Sequence, residues 1–180
     1  LKGFEKEVGE STYHALKRTV DFVATQIGRI VRQHYTIKAS DIKDTLIKNY
    51  PSKKDLSASV ESKGHTLSFY HFTHSPKTRP ATKKKYKVKV TIKRDSGSQE
   101  VNTDPKPFIA TLDGGIDHVV KREGTERKPI VVLRTLSVPQ MITNENVGEE
   151  IQKAAMEKFN ERLEHEIIRN MTSIQKNIRK

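Results

Sequence analysis

The amino-acid sequence predicts an α+β fold: a long N-terminal helix, a central antiparallel β-sheet and a long C-terminal amphipathic helix. Three observations carry this. Leu16, Val20, Val23, Ile27 and Ile30 recur at alternating steps of four and three, which is one face of a helix. Between residues 55 and 94 the period changes to two, the repeat of a strand with one covered face. From residue 144 apolar residues recur every four positions over more than twenty residues, again a helical spacing. The organisation expected is a single domain, 1–180, with N-terminal helices in 1–50, a β-rich core with a basic loop in 55–135, and a C-terminal helix in 144–180.

The first helix is expected over residues 4–35, with Lys17, Arg18, Asp21, Arg29 and Arg32 off the apolar stripe. Ser40 resembles an N-cap for a short helix at 41–49, closed by Tyr50-Pro51. Leu56, Ala58 and Val60 alternate with polar residues, as do Leu67 and Phe69, and 62–65 between them suits a hairpin turn. A loop over 73–82 precedes a third strand at 84–94, and a polar loop over 95–107 precedes a short apolar element at 108–112. The unit at 118–141 has the clearest form. Val119 and Val120 lead into a charged turn with Gly124, and Pro129 then opens the β-branched run Ile130, Val131, Val132. Val138-Pro139-Gln140-Met141 reads as an abrupt stop before the last helix.

That helix is expected over 144–171 or beyond, with Asn144 or Asn146 as its cap and Glu149 and Glu150 in its first turn. Its apolar positions are Val147, Ile151, Ala155, Phe159, Leu163, Ile167 and Met171. A step of four overshoots one turn by about 40°, so the stripe rotates by about 240° over six steps. One straight core cannot cover it all. Either the second half, with Ile174 and Ile178, faces another subunit, or the helix bends or is covered by the N-terminal helix.

Composition agrees with a chain that completes its burial elsewhere. Hydrophobic residues make up only 33% and charged residues 31%. The net charge of +12 favours nucleic acid or acidic protein surfaces, although solubility alone would also account for it. With no cysteine, disulfides and thiolate metal sites are excluded. No apolar run approaches a membrane span, and the first residues lack a signal core, so a soluble intracellular product is expected.

The loudest charge signal lies between Pro76 and Arg94, with nine Lys or Arg and no acid. Lys85, Lys87, Lys89 and Lys93 share one face of the expected strand, and Tyr86, Val88, Val90 and Ile92 the other. With Lys83, Lys84 and Arg94 they form a candidate strip for DNA phosphates or an acidic partner. The alternative is a solvated strand face on which lysines discourage edge pairing. His65, His71 and His74 invite a metal, but no acid lies close in sequence and they do not converge on a strand. His118, His165 and Ser137 carry no nucleophile signature, and Asp113-Gly114-Gly115 lacks a phosphate-loop spacing. No catalytic residue, metal site, cofactor or small-molecule substrate is expected.

Taken together, the opening LKGFEKEV, the long helix followed by YTIKASDIK, and the run RKPIVVLRTLSVPQMITNENVGEEI resemble the prophage minor tail protein Z family. These are the tail completion proteins of lambda-like long-tailed phages. The matching residues are Arg127, Pro129, Ile130, Leu136, Ser137, Val138, Pro139 and Met141. The middle, 52–104, is similar only in being basic and strand-like. The resemblance implies a virion structural protein added late in tail assembly at the head-proximal end, and located in the host cytoplasm during assembly. It implies a ring of identical subunits around the DNA channel, a hexamer by family analogy. Its partners would be the tail terminator, the tail tube and neck or connector proteins, with non-specific contact to packaged DNA. The candidate subunit interface is Leu163, Ile167, Met171, Ile174 and Ile178. The competing reading is a DNA-binding module built on Lys85 to Lys93.

Overall fold

The computed structural model describes residues 2–81, 86–112 and 114–178, and the side chains of residues 6–172 within them. Lys83, Lys84 and Lys85 lie outside the described residues, as do Asp113 and the side chains of Ile174 and Ile178. The fold is α+β, with a long helix at each end and antiparallel strands between them. Contacts divide the chain into two compact units. One comprises Leu1–Ile30, Leu46–Lys63 and Asn144–Lys180, the other Val31–Thr45 and Gly64–Thr143.

Helix α1 runs over Lys2–His34, close to its expected bounds. Val20, Ile27 and Ile30 are buried as the stripe requires, with Leu16 and Val23 half-buried. The covered face also takes in Ser11 and Thr19, because each hydroxyl donates to a carbonyl one turn back, Glu7 and Ala15, both at 2.8 Å. Helix α4, Glu145–Ile178, belongs to the same unit. Asn170 Nδ2 donates to Ser11 Oγ at 2.8 Å, Arg18 Nε lies 3.8 Å from Glu166 Oε1, and Lys158 Nζ sits 5.4 Å from the centre of the Phe22 ring. Numbers rise along α1 as they fall along α4, so the two helices run antiparallel. On α4 Val147 and Glu166 are buried, and Ile151, Ala155, Phe159, Arg162, Leu163, Ile167 and Asn170 are half-buried. The four-residue apolar stripe leaves the covered face at Met171, and the polar Arg162, Glu166 and Asn170 share that face with it.

The short helix expected at 41–49 is a correction. Helix α2 is Ala39–Lys43, with Lys38 and not Ser40 at its N-cap, and Leu46–Asn49 is strand β1. Strand β2, Ser59–Ser62, pairs with β1, where the sequence suggested a hairpin with 66–70. A partner strand ten residues away decides the conformation of 46–49, and local propensity does not reveal it. Lys48 and Tyr50 both donate to Asp21 Oδ1 at 2.7 Å, and the Lys48 bond foremost holds the Asp21 carboxyl below its ordinary pKa. Residues 67–69 instead run beside 133–136. The Leu67 amide donates to Leu136, the Thr135 amide to Leu67 and the Phe69 amide to Leu133. A single 3-10 turn, Phe69–His71, follows.

The second unit holds two three-stranded antiparallel sheets, so the expected central sheet is divided. Strands β3 (Thr73–Ser75), β4 (Lys89–Thr91) and β5 (Gln99–Glu100) form one, with β3 and β5 inside segments expected as loops. Strands β6 (Phe108–Thr111), β7 (Asp117–Arg122) and β8 (Ile130–Val132) form the other. The expected pairing of the 118–141 unit is present, with Val120 opposite Val132 and Arg122 opposite Ile130. Central β7 buries Val119 and Val120 completely, one on each face.

The expected stop at 138–141 is a helix start. Helix α3, Val138–Ile142, is opened by Ser137 in a capping box: Ser137 Oγ accepts from the Gln140 amide and Gln140 Oε1 accepts from the Ser137 amide at 2.9 Å. Pro139 suits the first turn, where its missing N–H has no partner to lose. Ser137→Ala should cost about 1 kcal/mol of stability in urea unfolding, and Ser137→Thr should recover most of it. An unchanged midpoint for the alanine variant would deny the cap this role.

Candidate interaction surface

The charge is unequally divided. By sequence, the second unit holds 18 Lys and Arg against 9 Asp and Glu, a net of +9, and the first 16 against 13, a net of +3. The basic character thus belongs mainly to the β-rich unit.

Within that unit the expected face of β4 is present. Lys87 and Lys89 are exposed while Val88 and Val90 are buried. Two of its described cations are engaged within the fold. Lys87 Nζ is paired with Glu100 Oε2 at 2.8 Å across to β5. Arg94 donates from Nε to the carbonyl of Arg32 at 2.7 Å, and its amide donates to His34 at 2.8 Å. It closes the last turn of α1, where a cation meets the negative end of the helix dipole. Lys89 on β4 and Lys93 just after it remain exposed, and Lys93 is bridged to Tyr35 through the backbone.

Folding gathers a different set of cations. A cleft of about 420 Å³ at the end of α1 is lined by Arg32, Lys38, Lys77, Arg94, Tyr70 and His74, and among the described residues no carboxylate lines it. Lys38 Nζ lies 5.2 Å from the centre of the Tyr70 ring. A second cleft, about 620 Å³, is lined by Arg79, Arg122, Arg127 and Lys128 with Tyr86 and Phe108. Arg122 is committed to the turn after β7, donating to Arg127 O at 2.6 Å over the Phe108 ring. Sequence reading missed the first cleft because it joins Lys77 and Arg94, from the two ends of the basic run, to Arg32 and Lys38, which lie far earlier in the chain.

The remaining candidates are dispersed. His71 Nδ1 pairs with Asp41 at 3.0 Å, His74 Nδ1 bonds the Phe72 carbonyl at 2.9 Å, and His65 is exposed. Among the described residues no group of three or more His, Cys, Asp or Glu is placed to hold a metal ion. Ser137 is engaged in its cap, and His165 lies 3.9 Å from Glu166. No described helix is long and apolar enough to cross a membrane. On α4, Leu163 and Ile167 are half-buried within the first unit, whereas Met171 is 53% exposed. Ile168 at 65% and Met156 at 60% are exposed too, and the spacing of four passed over both.

Fold and surface together define a basic α+β protein with cationic clefts and exposed apolar helix positions. The chain belongs to the prophage minor tail protein Z family, which it matches over residues 1–177. It is therefore a structural protein of a phage tail and a virion component, from a family that is structural in kind. No curated protein and no solved structure matches it.

Proposed function

We propose that this chain completes the head-proximal end of the tail and supports head–tail joining, as a ring of identical subunits, a hexamer by family analogy, around the DNA channel. In this reading residues 1–180 act as one tail-completion domain, assembled in the host cytoplasm. It meets the tail terminator, the tail tube and neck or connector proteins. The observation that carries the reading is the division of labour along the chain. A nearly balanced helical unit exposes Met156, Ile168 and Met171, and a strongly basic unit carries most of the net charge. Exposed apolar residues on one helix suit contact between subunits, and a basic unit suits the lining of a DNA channel or an acidic partner.

The contact between subunits is testable on α4. Ile167 is half-buried, so charging it would disturb the fold itself; Ile168 and Met171 are the cleaner pair. Ile168→Asp with Met171→Asp should shift the purified chain to monomers in light scattering and reduce head–tail joining at least about tenfold in complementation. A variant that keeps both the oligomer and full joining would sink the reading that this part of α4, with Leu163, Ile167, Ile174 and Ile178, forms the interface.

The second reading, a DNA-contacting module, is favoured by the +9 of the β-rich unit. It is compatible with the first, because a ring at the neck encloses DNA.

A further inference from the structure

We infer that the cleft at the C-terminal end of α1, and not the lysine face of β4, is where this protein takes nucleic-acid phosphate. Four fixed cations meet there from separate segments: Arg32 on the last turn of α1, Lys38 just before α2, Lys77 after β3 and Arg94 after β4. All four are exposed, and among the described residues no carboxylate lines the cleft, Asp41 being paired with the lining His71 at 3.0 Å. No described side chain forms an ion pair with any of them, whereas Lys87 on the strand face is matched by Glu100. Arg94 is held in place by its Nε bond to the Arg32 carbonyl, which leaves the other guanidinium donors for a ligand. A helix C-terminus carries about half a negative charge and by itself repels anions. Arg32 and Arg94 at that end more than offset it.

A phosphodiester backbone fits better than an acidic peptide. The same unit carries the second basic cleft with Arg79, Arg127 and Lys128, so its cations are spread over two depressions. Duplex DNA offers a charge every ~1.7 Å along its axis and can occupy spaced sites at once. The inference rests on the reading that the chain sits beside packaged DNA.

The test is fluorescence anisotropy of the full chain with a labelled duplex at rising salt. Lys38→Gln with Lys77→Gln removes two cations whose side chains make no described hydrogen bond or ion pair, Lys38 lying only against the Tyr70 ring. This pair should weaken binding about tenfold and lower the salt slope by about 2. Lys89→Gln with Lys93→Gln, an equal charge change on the strand, should weaken it less than about threefold. Equal losses from the two pairs would assign binding to diffuse charge, and a larger loss from the strand pair to β4; either overturns the inference. So does no binding by the unaltered chain at low salt. Displacement of the duplex by polyglutamate as readily as by unlabelled duplex would make the ligand an acidic protein, and displacement by millimolar inorganic phosphate would make it a free anion. Both results count against the assignment. Head–tail joining is scored separately in complementation, so a failure of the tail role leaves the DNA result standing.

Discussion

Arg169→Ala is expected to destabilise the helical unit by about 3 kcal/mol, more than removal of the carboxylate it faces. Glu166 is fully buried on α4, with Arg169 Nη2 at 2.7 Å from Oε2 and Arg18 Nε at 3.8 Å from Oε1. Despite that proximity, neither carboxylate oxygen has an aligned hydrogen bond among the described residues. The buried charge is thus held by proximity to cations and little else. Deleting Arg169 leaves a desolvated carboxylate with only the longer contacts to Arg18 and His165, and such an orphaned charge is expensive. Glu166→Leu works the other way. Arg18 and Arg169 are about half exposed, so both can turn to water, and leucine fills much of the same volume. That variant should stay within about 1 kcal/mol of the parent or exceed it. Urea unfolding of both variants gives the order directly. If Glu166→Leu proved the more damaging, the pair would be a net stabiliser and the argument wrong.

The same residue shows where sequence reading reaches its limit. The N-terminal helix was legible because Val20, Ile27 and Ile30 are apolar at helical spacing and nothing competes with that pattern. The β7–β8 pair was legible because Val119, Val120 and Ile130 bracket a turn too charged to bury. The covered face of α4 was not, because it is completed by Glu166 and Asn170. A count of apolar residues follows the drifting stripe to Met171, while the helix follows its own repeat. Strand β1 was illegible for another reason: Leu46–Asn49 is a strand only because Ser59–Ser62 lies beside it. The basic surface was half legible. The run before Arg94 announces the charge, but Glu100 and the end of α1, far away in sequence, decide which cations remain available.

Met141→Ala should cost the β-rich unit about 3 kcal/mol, and Met141→Leu less than about 1.5 kcal/mol. Met141 and Val138 stand one turn apart on α3, and both are buried, Met141 completely. Alanine would leave a cavity beneath a helix of five residues, in which Val138 is the other buried side chain. Leucine keeps the volume, and the loss of methionine's flexibility is a smaller matter. The Ser-Val-Pro-Gln-Met run thereby acquires a physical meaning: Ser137 opens the helix, Pro139 suits its first turn, and Val138 and Met141 anchor it. These are the residues on which the family resemblance rests, and their work is to hold the fold together. Charge changes at Lys38 and Lys77 should therefore alter binding while leaving the urea midpoint unchanged, and Met141→Ala should lower the midpoint while leaving the DNA salt slope of the folded chain intact. If Met141→Ala changed the slope with no loss of stability, the element would be part of a binding surface, and the division drawn between anchor and cleft would fail.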